Sequence, residues 1–271
     1  MSLELDYQRI ENEVKRGYAQ ATDRYRRDDE IEVTTENHQR LSRQLADICR
    51  TFSGPITVLD LGCGTGRYFH CLHNVRQLVG LDISEEMLAA ARSPVRQDLI
   101  TIGAIQLLRS NAYLTQFPAE SFHFIYSLGM FGHGCPVTPE ICNRLYDWLM
   151  PGGKLLFNTI DMAGTPLHYR IRRGVRRLVY PWIGRRLRDK LDQREKIAPL
   201  FCLTKGQLLA TMSQSKFRDY SISSHRCKSP LWRGRHLECL ASRPEGAGQT
   251  ARDPSKSEEC GEKEVVDQVP R

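Results

Sequence analysis

Val58-Leu59-Asp60-Leu61-Gly62-Cys63-Gly64-Thr65-Gly66 decides the fold: an apolar strand ends in an acid and runs straight into three glycines at alternate positions. Such a turn removes Cβ atoms where a ligand would lie against the backbone. It also leaves free N–H groups at the start of the next element to meet a ligand carboxylate. The pattern predicts a helix from about Arg67. A dinucleotide fingerprint G-x-G-x-x-G would need glycine at position 67, where this chain has Arg, so a dinucleotide ligand is disfavoured.

Downstream, Asp82 closes the next apolar run, Leu78 to Ile83, sixteen residues after Gly66. A carboxylate at the end of the second strand is placed to accept both hydroxyls of a ribose, and Ile83 beside it can pack on an adenine face. Further apolar runs at Ile56 to Leu61, Phe122 to Ser127 and Leu155 to Thr159 alternate with helical stretches, which predicts a parallel sheet covered by helices on both faces. Thr35 is a candidate N-cap for a helix carrying Leu41, Leu45, Ile48 and Cys49 on one face and stopping at Gly54-Pro55. Thr138-Pro139-Glu140 opens another helix, Met150-Pro151-Gly152-Gly153 reads as a type II turn, and Thr204-Lys205-Gly206-Gln207 is a capping box. Asp219 to Ser224 and Leu237 to Ser242 are expected as a closing antiparallel pair.

These residues resemble the class I S-adenosylmethionine-dependent methyltransferases, in particular the small-molecule group that includes the ubiquinone and menaquinone biosynthesis enzymes. The resemblance spans Tyr18 to Arg243 and rests on Val58 to Gly66, on Val79-Gly80-Leu81-Asp82-Ile83-Ser84-Glu85-Glu86-Met87-Leu88, and on Leu149-Met150-Pro151-Gly152-Gly153-Lys154-Leu155. It implies an α/β fold: a Rossmann-like, seven-stranded, mostly parallel sheet with helices on both faces, extended by N-terminal helices and a basic helical insertion. It also implies S-adenosyl-L-methionine as cofactor, held by Tyr18, Asp60, Gly62, Cys63, Gly64, Gly66, Asp82, Ile83, Met87, Asn111, Ala112 and Ser127. Asn111 stands where the family usually has Asp, but its amide oxygen can still accept from the exocyclic amine of adenine. His133, between two glycines in the loop after the fourth strand, is the candidate general base for an oxygen or carbon acid. That loop lacks Asn-Pro-Pro-Tyr and Asp-Pro-Pro-Tyr, which argues against methylation of base amines. The expected acceptor is a small metabolite or lipid-like molecule methylated at O or C; an RNA methyltransferase and an inactive cofactor-binding regulator are the alternatives.

The net charge of +7 is local: residues 168–196 hold nine Arg and two Lys against Asp189, Asp192 and Glu195. Arg170 to Arg188 interleave with Ile171, Val175, Leu178, Tyr180, Trp182 and Ile183, a composition suited to a lid or to peripheral contact with an anionic membrane, with RNA less favoured. The expected organisation is N-terminal helices over 1–54, a core domain over 55–243 with a basic lid at 162–199, and a disordered tail at 244–271, where seven acids and four bases surround few apolar groups. No apolar run approaches the roughly 18 residues that span a bilayer, and Met1 to Arg27 lacks the apolar core of a secretory signal, so a cytoplasmic protein is expected. Nine cysteines include no C-x-x-C pair and no His/Cys cluster at zinc-finger spacing, so no metal is expected.

Overall fold

The computed structural model describes residues 22–133, 135–164, 182–184, 201–229 and 233–246. Tyr18, most of the basic insertion and the tail beyond residue 246 lie outside the described residues. Helices α1 (Thr22–Glu32) and α2 (Glu36–Arg50) precede β1 (Ile56–Leu61) and β2 (Val75–Asp82). Then follow α3 (Glu85–Ala91), β3 (Ala104–Arg109), β4 (Phe122–Ser127), α4 (Pro139–Trp148), β5 (Leu149–Ile160), α5 (Lys205–Ser213), β6 (Asp219–Lys228) and β7 (Arg233–Ser242).

The strands form one sheet in the order β3-β2-β1-β4-β5-β7-β6. The first five are parallel, while β7 runs antiparallel to both β5 and β6. All six β1 residues are buried, because helices cover both faces of the sheet. One face packs Leu59, Leu61, Ile125 and Phe157 against Ile141, Leu145 and Trp148 of α4 and Leu208 and Met212 of α5. The other packs Val58, Phe124, Tyr126 and Leu156 against Leu45, Ile48 and Cys49 of α2.

The expected helix boundaries hold where a side chain fixes them. Thr35 accepts from His38 N, Thr138 from Ile141 N with Pro139 in the first turn, and Thr204 forms a capping box with Gln207. Gly152 has φ 77°, as the third position of a type II turn requires.

Two expectations are corrected, and one further element went unpredicted. The helix predicted from Arg67 is a single 3-10 turn, Phe69–Cys71. Strand β2 begins at Val75, paired with Ile56, so only residues 67–74 separate the glycine loop from the sheet; Asn74, with φ 56°, turns the chain into the strand. Second, α2 ends at Arg50, capped by Thr51, before Gly54. Third, β3 gave no sequence signal of its own: it is an edge strand whose Ala104, Ile105, Gln106 and Arg109 are exposed, so selection for alternation is weak there.

Candidate functional site

The glycine turn lies at the carboxyl ends of the parallel strands, where open α/β sheets bind ligands. Gly62, Gly64 and Gly66 have φ of 81°, 53° and 78°. A Cβ on Gly62 would lie 2.7 Å from Met130 Cβ, whereas one on Gly64 would meet no protein atom within 4 Å. Gly64 therefore faces open space, and that space is a cavity of about 590 Å³. Its size is within the usual range of about 300–1,000 Å³ for small-molecule sites.

Gly62, Cys63, Gly64, Thr65 and Met87 line the cavity on one side, and Leu128, Gly129, Met130 and His133 on another. Asn158 and His236 come from β5 and β7, and Arg24, Tyr25, Asp28 and Glu32 from α1. Of the candidate residues, Gly62, Cys63, Gly64, Met87 and His133 are thus brought together. Asp60, Gly66, Asp82, Ile83, Asn111, Ala112 and Ser127 are not among the lining residues.

Several of these act beneath the surface of the cavity. Asp82 Oδ2 accepts from Gly64 N at 2.9 Å, and its Oδ1 from Ser84 N at 2.9 Å. With the Ile83 N–H as a third donor, one of the carboxylate's four acceptor positions stays open. Burial raises the Asp82 pKa, while the N–H donors of Ser84, Gly64 and Ile83 oppose that rise. Asp60 is wholly buried, accepts from the Tyr126 hydroxyl at 2.7 Å, and is pushed up to about 8 by burial, so it stays protonated at neutral pH. Ser127 Oγ donates to Leu61 O at 2.7 Å, pinning β4 to β1. Asn111 Oδ1 accepts from Tyr113 N at 2.9 Å, an Asx turn.

Burial lowers the His133 pKa, which keeps the imidazole neutral near pH 7 and able to take a proton. His236, pushed down to about 4 by burial and then by His133 and Arg40, is a second neutral imidazole in the cavity. Sequence reasoning missed His236 and Asn158. His236 is one polar residue in the strand Arg233–Ser242, and only the antiparallel register, which sets it opposite Ile160, brings it to the site. Asn158 gives a weak signal, an amide following Leu155-Leu156-Phe157 in a buried strand; its Oδ1 accepts from Gly129 N at 2.8 Å and holds the β4 loop.

The roof comes from α1. Buried Asp29 accepts from Thr65 Oγ1 and from Arg67 Nε, on either side of Gly66. Glu32 accepts from Ser229 Oγ at the far end of β6.

Residues 58–153 match the family model described as methyltransferase domain. The match covers about a third of the chain, and within it the expected resemblance to class I S-adenosylmethionine-dependent methyltransferases stands. The chain is 26% identical over 137 residues to demethylmenaquinone methyltransferase of Lactococcus lactis, covering 48% of this chain and 52% of that protein. It is 29% identical over 140 residues to malonyl-[acyl-carrier protein] O-methyltransferase of Enterobacter lignolyticus, covering 48% and 51%. The chain spans about half the length of these curated relatives.

Among solved structures, magnesium protoporphyrin IX methyltransferase of Synechocystis with bound S-adenosylhomocysteine aligns with TM-score 0.57 and 15% identity over 86% of this chain and 99% of that one. Phosphoethanolamine N-methyltransferase 2 of Haemonchus contortus aligns with TM-score 0.51 and 16% identity over 75% and 53%. These likenesses establish the methyltransferase fold shared by the sheet and its helices.

Proposed function

We propose that the methyltransferase domain uses S-adenosylmethionine to methylate an oxygen or carbon atom of a small metabolite or lipid-like acceptor. One observation carries the reading: the left-handed Gly62–Gly66 turn opens, without a Cβ at Gly64, onto a cavity that also holds His133. The turn suits the cofactor's amino-acid end because its N–H groups and lack of side chains admit a carboxylate close to the backbone. Met87 supplies an apolar wall, and Asp82 braces the turn while keeping one acceptor position for a ribose hydroxyl.

When bound, the cofactor supplies a methyl group already activated on a sulfonium. The chain's own residues then align the acceptor and exclude water. Tyr25 and Arg24 of α1 close one side of the cavity and Met130 another. His133, neutral and partly buried, takes the acceptor's proton if that acceptor is an oxygen or carbon acid. The names of the two curated relatives, one a quinone and the other an acyl-carrier substrate, support an acceptor with an apolar part. In this reading residues 1–54 cover the cofactor side, 55–243 form the catalytic domain, 162–199 form a lid that touches anionic membrane, and 244–271 are a tail. Among the described residues no helix is long and apolar enough to cross a membrane.

The test is incubation with methyl-labelled cofactor and cell extract, fractionated into lipid, RNA and soluble pools. Label is expected in the lipid or soluble pool; label confined to RNA would overturn the acceptor class. Cofactor binding by calorimetry with no labelled product in any pool would overturn the enzymatic reading. Once an acceptor is in hand, His133→Ala should lower kcat by about 10²–10⁴-fold, the range for general-base catalysis, with cofactor affinity little changed.

A further inference from the structure

The 3-10 turn after the glycine loop sets His70 and Cys71 against His38 of α2. Cys71 Sγ lies 3.5 Å from His70 Nε2 and 3.9 Å from His38 Nε2, and the three ligand atoms all fall within 4.8 Å of one another. Around a tetrahedral zinc, with Zn–S about 2.3 Å and Zn–N about 2.0–2.1 Å, sulfur and nitrogen stand about 3.5 Å apart. One edge already has that length and the other is a few tenths of an ångström longer. The two imidazoles form a stacked pair with centroids 5.4 Å apart and planes 21° from parallel. Because a zinc lies in the plane of each imidazole that binds it, one ring must rotate about its Cβ–Cγ bond before both Nε2 lone pairs meet at one ion.

Each Nε2 faces the Cys71 sulfur, whereas Nδ1 of both His38 and His70 is buried without a hydrogen-bond partner among the described residues. Zinc at Nε2 would place the ring proton on Nδ1, so it is the Nε2 contacts that mark the ligand positions. Cys71 donates to Ser42 Oγ at 3.0 Å, so the thiol is the better satisfied member. A metal bond at Nε2 would replace the weak contact with sulfur there and so offset part of the cost of burying the imidazoles. Two imidazoles and a thiol suit zinc, whereas magnesium and calcium take oxygen donors.

We propose that His38, His70 and Cys71 form a zinc site that staples α2 to the turn following the glycine loop. The three residues are separated by thirty-two and by one position, which is why no zinc-finger spacing shows in the sequence. On binding, the Cys71 S–H bond breaks, the sulfur bonds to zinc, and the proton passes to solvent, with no change of oxidation state. The staple holds the segment that folds as the 3-10 turn Phe69–Cys71 in place of the expected helix. It also fixes Arg67 and Tyr68, which line the cavity beside His70.

The full-length protein, reconstituted with zinc and dialysed, should hold stoichiometric metal, and a chelator should lower its Tm by several degrees. With cobalt(II) in place of zinc it should show a thiolate-to-cobalt charge-transfer band. That band should vanish in Cys71→Ser, weaken in His38→Gln, and persist in Cys260→Ser, which removes a cysteine remote in sequence. A band that survives Cys71→Ser, or zinc that washes out on dialysis, overturns the site. Should Cys71→Ser fail to fold, the wild-type melt decides: a Tm indifferent to both zinc and chelator overturns the proposal.

Discussion

Asp82 Oδ2 accepts the backbone N–H of Gly64 at 2.9 Å, so the acid at the end of β2 holds the middle of the glycine turn. A role in ribose binding and a role in shaping the turn therefore fall on one side chain. Asp82→Ala should weaken S-adenosylmethionine binding by about 1–3 kcal/mol, the range for a lost hydrogen bond to a charged group. Calorimetry checks it, and unchanged affinity would remove both roles from Asp82.

Gly64→Val should be more damaging to binding than to folding. The position has φ 53°, which a β-branched residue adopts only with strain, yet its Cβ would meet no protein atom within 4 Å. The added side chain therefore stands in the cavity, where the cofactor is proposed to lie. We expect a folded protein with cofactor binding reduced at least tenfold; a folded variant with normal affinity would move the ligand away from the turn.

Stability should fall as pH rises from about 6.5 to 8. His236 is lowered from 6.5 to about 4, chiefly by burial. Between about pH 4 and 6.5 the unfolded chain binds a proton at this histidine that the native chain refuses, which raises stability with pH. Asp60 acts the other way: raised from 3.8 to about 8 by burial, it keeps a proton that the unfolded chain gives up, so stability falls as pH rises through that window. Asp82, also raised by burial, acts in the same direction as Asp60; above pH 6.5, where the His236 contribution is complete, stability falls as pH rises toward 8. Denaturant melts across this range check the shape, and Asp60→Asn should flatten the alkaline limb. A limb unchanged by that substitution would show that Asp60 is ionised in the native protein.

Where a local interaction fixes the chain, the sequence was legible. Thr35, Thr138 and Thr204 each cap a helix with their own hydroxyl, and Gly62, Gly64 and Gly66 each need the left-handed region. Features set by distant pairing were not. His236 reaches the cavity through the β5–β7 register, Asp29 grips Thr65 and Arg67 from thirty-six and thirty-eight residues away, and His38 meets Cys71 only because α2 packs on a turn. Long-range polar contacts are equally hidden: His123 accepts from Thr57 N through Nδ1 at 3.1 Å, and Lys216 ion-pairs with Asp147 at 2.7 Å. The sequence alone could not tell which of the twelve proposed cofactor contacts face the cavity, because Asp60 and Ser127 sit in the same motifs as lining residues but turn their side chains to Tyr126 and Leu61.

The last prediction concerns the basic insertion. Trp182 is 88% exposed, an unusual position for the largest apolar side chain, and in sequence it follows five arginines at 170–177 and precedes three at 185–188. A nucleic-acid surface would attract the arginines but has little use for the neighbouring Val179, Tyr180 and Ile183, whereas a membrane interface would bury them along with the indole. Each basic residue near an anionic leaflet contributes about 1 kcal/mol, and that attraction weakens within a Debye length of about 8 Å at physiological salt. Insertion of an indole does not depend on salt in the same way. The protein should therefore sediment with anionic liposomes, lose most of that binding in Trp182→Ala, and keep part of it when salt is raised. Binding that disappears with salt and ignores Trp182→Ala would leave electrostatics alone. A protein that stays in the supernatant while retaining RNA would reverse the preference between lipid and nucleic acid. Because Trp182 lies far in sequence from the glycine turn, cofactor affinity should be the same in wild type and Trp182→Ala, which separates loss of membrane contact from loss of fold.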